Sequence, residues 1–120
     1  MTSTTNIETP AITITWHKTV RTTDIPENGG VAALIDGQQI AIFNFTEKGE
    51  WYACQNMCPH KMEMALSRGL IGDANGEPKV ACPFHKKSFS LETGECLNDS
   101  CTNIDVFLVK IEDNIVFVGL

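Results

Sequence analysis

The sequence predicts an all-β fold, and three observations carry that prediction. Short runs rich in β-branched and aromatic residues recur along the chain, turn chemistry separates them, and helical character is confined to one stretch. The 120 residues suffice for one ordinary hydrophobic core, so the fold needs neither crosslinks nor metal to hold together. A metal, where the residues indicate one, is then functional rather than a substitute for a missing core.

Residues 1–10, "MTSTTNIETP", are rich in Thr, Ser and Asn and carry little to bury. They predict a flexible N-terminal tail ahead of a single domain over residues 11–120. The strand runs follow in order: "TITWHKTV", "VAALID", "QQIAIFNF", "EWYAC", "DVFLVKIE" and "NIVFVGL". Between them, Pro26-Glu-Asn-Gly29-Gly30, Asp36-Gly37, Lys48-Gly49, Gly72-Asp-Ala-Asn-Gly76 and Asp113-Asn114 supply turn residues. Asp36-Gly37 and Asp113-Asn114 predict tight hairpin turns.

In "DVFLVKIE", alternation puts Val106, Leu108 and Lys110 on one face and Phe107, Val109 and Ile111 on the other. With both faces so apolar, this strand and "NIVFVGL" are expected inside a sandwich or small barrel rather than at an exposed edge. The stretch with helical character is "HKMEMALSRG", residues 60–69, whose Met and Leu positions equally fill a core from a loop. No repeat at solenoid periods is present.

Fifteen acids against nine bases give a net charge of -6, which disfavours nucleic acid and anionic membrane surfaces as partners. The first residues show neither the basic segment nor the apolar run of a secretory signal, and no stretch reaches the length of a membrane span. The cytoplasm is the expected compartment. Five cysteines cannot all pair within one chain, and a reducing compartment keeps thiols free, so clustered Cys and His point to metal.

Two such clusters stand out: Cys58-Pro59-His60, then, after a spacer, Cys82-Pro83-Phe84-His85. Cys-x-His and Cys-x-x-His each put a thiolate and an imidazole on one short loop, which Pro59 and Pro83 stiffen by fixing φ. Two thiolates with two imidazoles permit either a tetrahedral zinc or a [2Fe-2S] cluster with two Cys on one iron and two His on the other. The arrangement favours the cluster. Common zinc sites pair cysteine with cysteine and histidine with histidine, whereas here each loop contributes one of each.

The remaining chemistry-bearing residues have plainer readings. Cys54 ends a strand run, where cysteine behaves as a small buried hydrophobe. Cys96 and Cys101 flank a polar turn and are expected as free thiols, since the compartment argues against a disulfide between them. His17 lies on a predicted strand with no cysteine beside it and is assigned no role. Met57, Met62 and Met64 are expected to cover the loops as apolar packing.

The pattern Cys-x-His, spacer, Cys-x-x-His resembles the ligand pattern of the Rieske [2Fe-2S] proteins. Leu66-Ser67-Arg68-Gly69 is similar to the Leu-Ser-x-Gly that Rieske ferredoxins often carry after the first loop. Phe89-Ser-Leu-Glu-Thr93-Gly94 is similar to their Phe-x-x-x-Thr-Gly. The similarity covers most of the chain, running through the C-terminal hairpin and more loosely back to Trp16. Within that superfamily, "HKMEMALSRGLIGD", the Gly76-Glu-Pro-Lys-Val80 spacer and "HKKSFSLETGECLND" resemble the small subunit of NAD(P)H-dependent assimilatory nitrite reductase.

The resemblance implies a Rieske-like antiparallel β-sandwich or barrel with a cluster-binding subdomain of two loops. That subdomain spans about 51–96, on a strand-built base from about 11–50 and 97–120. Cys58, His60, Cys82 and His85 would ligate a [2Fe-2S] cluster. The chain would pass single electrons without itself being catalytic, and its partner would be a large subunit carrying FAD, a nicotinamide site, a [4Fe-4S] cluster and siroheme, reducing nitrite to ammonium. The alternatives are a free-standing Rieske ferredoxin for an oxygenase, and a zinc-bound or cluster-free structural subunit. This chain has no Gly-rich dinucleotide loop and no cysteines to spare for a four-iron cluster.

High-potential Rieske proteins carry an extra cysteine in each loop, forming a disulfide, and a Ser and a Tyr after the second histidine. The matching positions here are Glu63, Phe84, Lys87 and Phe89, so the expected potential lies in the lower part of the Rieske window, about −150 to +300 mV. Residues 58 to 87 also hold more bases (Lys61, Arg68, Lys79, Lys86, Lys87) than acids (Glu63, Asp73, Glu77), in a chain that is acidic as a whole. Lys61, Lys86 and Lys87 are expected either to dock an acidic patch of a redox partner or simply to solvate the loops.

Overall fold

The computed structural model describes residues 14–46, 48–59, 63–84, 87–98 and 102–120. The predicted tail, His60, Lys61, Met62, His85, Lys86 and Cys101 lie outside the described residues.

The first four strands are β1 (Trp16–Arg21), β2 (Gly30–Ile35), β3 (Gln38–Phe45) and β4 (Glu50–Gln55). Five short ones follow: β5 (Met57–Cys58), β6 (Glu63–Met64), β7 (Leu70–Ala74), β8 (Glu77–Ala81) and β9 (Ser88–Ser90). The C-terminal hairpin is β10 (Val106–Glu112) and β11 (Ile115–Gly119). Where the sequence suggested helical character, the described part forms β6 and a 3-10 turn at Leu66–Arg68. Ala65 and Leu66 fill the core from this non-helical segment, whereas Met64 is exposed.

The long strands form one antiparallel sheet in the order β1-β11-β10-β4-β3-β2. The sheet curls until its two edges approach. His17 Nε2 on β1 lies 3.7 Å from Oδ2 of Asp36, which follows β2. The result is a nearly closed barrel in which β10 and β11 are inner rather than edge strands, although Leu108 of β10 is 55% exposed.

The hairpin turns follow their residue chemistry. Asp36 (φ 50) joins β2 to β3, while Asp113 (φ 52) and Asn114 (φ 63) join β10 to β11. These left-handed conformations match the twist of the flanking strands. A third two-residue turn begins at Asn75 (φ 54), between β7 and β8. The sequence reading held it inside a longer glycine-bounded turn and assigned no strands around it.

β3 explains how the molecule acquires two cores. Its Ile40 and Ile42 face the barrel interior with Ile25, Ile35, Ala53, Val116 and Val118. Its Ala41, Phe43 and Phe45 face outward, yet they are buried too, beneath Leu66, Val80, Phe89 and Leu91. A strand covered on both faces loses the polar alternation of a half-exposed one, which accounts for the run "IAIF". The covering layer is the three-stranded sheet β9-β8-β7 with the β5–β6 pair. Lys48 ties barrel to layer through a 2.6 Å contact between its Nζ and Asp73 Oδ1.

Candidate metal centre

Both cysteine-histidine loops are hairpin connections. Cys58 is the last residue of β5 and pairs in register with Glu63 of β6. Cys82 directly follows β8, and its backbone N–H donates to the Lys87 carbonyl at 2.8 Å, closing the second loop just before β9. Each loop therefore presents its cysteine at the same place, where the paired strands end.

The structure brings the two cysteines into one cluster. Cys58 is 0% exposed and Cys82 1% exposed, and both belong to the outer core with Leu66, Val80 and Phe89. Their separation in sequence is bridged by close packing of the intervening chain. A β-carbon built on Gly69 would meet the Ala81 carbonyl oxygen, so only glycine lets the segment after the first loop lie against the strand leading to the second. The matching glycine past the second loop, Gly94, has φ +81 and lies against the Ile104 carbonyl.

Around the buried thiols the surface is partly apolar. Leu70, in register with Ala81, is 78% exposed, and Phe84 of the second loop is 57% exposed. Met64 pairs with Met57 and is also exposed. Lys87 is half-buried rather than free on the surface. Glu63 and Phe84 are exposed and Phe89 is fully buried, so the four positions that distinguish high-potential relatives hold a carboxylate, two phenyl rings and an ammonium.

Cys54 belongs to the strand. It pairs with Ala41 and Val106, its Sγ donates to the Gln55 carbonyl at 3.2 Å, and it is 0% exposed. Burial pushes its thiol far above the ordinary range, which keeps it protonated, whereas a metal ligand is a thiolate. Cys96 corrects the expectation of a free thiol: it is disulfide-bonded. The Asn103 side chain accepts the Cys96 N–H at 2.9 Å. A disulfide depends on how the fold places two sulfurs, which a compartment argument does not see.

One residue near the site was missed by the sequence reading. Asn56, two places before Cys58, is 2% exposed. Its Nδ2 donates to Gln39 Oε1 at 2.9 Å, its Oδ1 accepts the Ser67 N–H at 2.7 Å, and its carbonyl accepts the N–H groups of Ala65 and Leu66, each at 3.0 Å. Its own N–H donates to the Gln39 carbonyl at 3.1 Å. An Asn beside a cysteine loop and a Ser in "LSRG" are visible in sequence, but their pairing is not.

Among the described residues no three His, Cys, Asp or Glu side chains converge as a metal site, and His60 and His85 lie outside them. The donor set still fits an iron-sulfur cluster. Two soft cysteine sulfurs share an apolar cluster at the openings of two loops, each with an imidazole two or three residues further on in the sequence. No helix among the described residues is long and apolar enough to cross a membrane.

Comparison with known proteins agrees with this geometry. The profile of the Rieske-like [2Fe-2S] domain family matches residues 15–119. The chain is 34% identical over 101 residues to the nitrite reductase (NADH) small subunit of Salmonella typhimurium, covering 84% of this chain and 94% of that one. It is 47% identical over 87 residues to the nitrite reductase [NAD(P)H] of Emericella nidulans, covering 68% of this chain but only 8% of the longer protein. With a nitrite reductase [NAD(P)H] large subunit of Klebsiella oxytoca it shares 37% identity over 95 residues, 79% of this chain and 10% of that protein. The NMR structure of the Escherichia coli protein NirD superposes with a TM-score of 0.80 at 30% identity, covering 90% of this chain and 98% of that one. By sequence profile and fold together, the chain belongs to the Rieske-like [2Fe-2S] domain family, beside the nitrite reductase (NADH) small subunits.

Proposed function

We propose that this chain is the electron-transfer subunit of an NAD(P)H-dependent nitrite reductase, with Cys58, His60, Cys82 and His85 as ligands of its [2Fe-2S] cluster. The observation that carries the reading is the burial of Cys58 and Cys82 in one apolar cluster at the mouths of two equivalent hairpin loops. Its agreement with a small subunit over nearly the whole of both chains supports the same reading. When bound, such a cluster supplies one-electron transfer. The chain's own residues hold it: the thiols from within the outer core, the loops through Pro59 and Pro83, and the β7–β8–β9 layer through its packing on β3.

The partner is a large subunit carrying FAD, a nicotinamide site, a [4Fe-4S] cluster and siroheme, which reduces nitrite to ammonium in the cytoplasm. The small subunit is not itself catalytic. Relatives in which this stretch is a small part of a longer nitrite reductase support such a partnership. The ligand-bearing segment at about 51–96 acts as a unit upon the base formed by 11–50 and 97–120.

Visible absorption, reduced-state EPR and iron content of anaerobically purified protein test the reading together. A coloured protein with two irons and a reduced-state EPR signal is expected. A colourless, zinc-containing protein overturns the electron carrier, and co-purification with an oxygenase instead of a siroheme protein redirects it to the ferredoxin role.

A further inference from the structure

We infer that Asn56 and Gln55 are positioning residues for the cluster, setting its reduction equilibrium as well as supporting the fold. The inference rests on Cys58 being a ligand, as proposed above. Gln55 Nε2 donates to the Met57 carbonyl at 2.7 Å, while its Oε1 accepts the Asp105 N–H at 2.8 Å. The Met57 carbonyl and the Cys58 N–H belong to one planar peptide unit. By holding the carbonyl, Gln55 fixes the direction in which the N–H of the ligand residue points.

Asn56 holds the neck of the same loop. Its side-chain oxygen and its carbonyl take three successive N–H groups, those of Ala65, Leu66 and Ser67, immediately after β6. Its amide nitrogen and its backbone N–H anchor that neck to Gln39 on β3 of the barrel. A buried asparagine with its polar groups matched in this way has one geometry, and loss of any partner leaves a buried group unsatisfied. The loop is thereby locked to the barrel on one side and to the turn at Leu66–Arg68 on the other.

Potentials of iron-sulfur centres follow amide dipoles and hydrogen bonds near the sulfurs and the access of solvent. Both are set here by the orientation of the Met57–Cys58 peptide and the closure of the loop neck. Freeing either changes the energy difference between the oxidised and reduced states. A residue that merely stabilised the barrel would leave that difference alone.

The test uses purified, cluster-loaded protein and the variants Asn56→Ala and Gln55→Ala, with Lys48→Ala as a control that removes the Lys48 contacts to Asp73 and the Gly76 carbonyl. Iron content, midpoint potential, reduced-state g-values and Tm are measured for each. Both positioning variants are expected to keep the cluster, shift their g-values and move the one-electron equilibrium by about tenfold, which is about 59 mV. Lys48→Ala should lower Tm without moving either property. If Asn56→Ala does not fold, the half-buried Gln55→Ala decides alone. Unmoved potential and g-values in a variant that only lowers Tm overturn the inference and leave the functional reading intact. A wild-type protein without a [2Fe-2S] cluster overturns that reading, and this inference with it.

Discussion

Gly69 lies so close to the carbonyl oxygen of Ala81 that no β-carbon fits between them. Ala81 precedes Cys82, and Gly69 ends the turn that follows the first loop, so this close approach joins the segments flanking the two cysteine loops, beside the pairing of Leu70 with Ala81. The Val80 side chain and the Leu66 carbonyl crowd the same position. Gly69→Ala should therefore destabilise by about 1–3 kcal/mol, as overpacking does in a filled core. Chemical denaturation measures the loss, and iron content should fall in parallel. An alanine variant with wild-type stability would mean that the two strands separate freely.

Cys58 and Cys54 are four residues apart and equally buried, but they differ in surroundings. Cys58→Ser should abolish the cluster spectrum, because the thiolate at the loop mouth is lost. Cys54→Ala should leave the spectrum intact, since that thiol lies in the paired strand β4. The reverse result returns Cys54 to the site and undoes the ligand assignment.

Cys54 also predicts a pH dependence. Its thiol, ordinarily near 8.5, is raised far above that value by burial. A group raised on folding contributes stability that is fully present below its unfolded pKa and lost as pH rises beyond it, because the unfolded chain gives up its proton first. Stability should decline from about pH 8.5 upward, and Cys54→Ala should flatten that decline in denaturation curves taken at stepped pH. An unchanged decline would place the effect elsewhere; Tyr52, whose hydroxyl is raised by burial and by its hydrogen bond to Glu50, adds a loss only above about pH 10.

The loop lysines bear on partner recognition. If Lys86 and Lys87 dock an acidic patch, Lys86→Glu with Lys87→Glu should slow electron transfer to the partner at low ionic strength and flatten its salt dependence. Stopped-flow reduction at several salt concentrations reads this directly. An unaltered salt dependence excludes docking by these two side chains.

The positions around the cluster predict its potential. Glu63, Phe84, Lys87 and Phe89 supply neither a loop disulfide nor a hydroxyl, so the midpoint should fall in the lower part of the Rieske window, which spans about −150 to +300 mV. Redox titration followed by EPR measures it. A value well above about +100 mV on that scale contradicts the argument.

The long strands, the tight turns at Asp36 and Asp113 and the cysteine-histidine loops were all legible in the sequence, because each depends on residues within a few places of one another. A two-residue side-chain period, an Asp or Asn that tolerates positive φ, and a Cys-x-His spacing are local properties. Of the five strands from Met57 to Ser90, only the one at Phe89 was legible, through the resemblance of Phe89 to Gly94 to a strand followed by a glycine turn. They are two to five residues long, too short for an alternation to show, and they exist because they pack over β3. Only the tertiary structure decided that Phe43 is buried on the outside of the barrel, that Gly69 must admit the Ala81 carbonyl, and that Asn56 bonds to Gln39 and Ser67. Each of these depends on which distant segments share a core, and burial and hydrogen-bond satisfaction belong to the packed pair rather than to either segment alone.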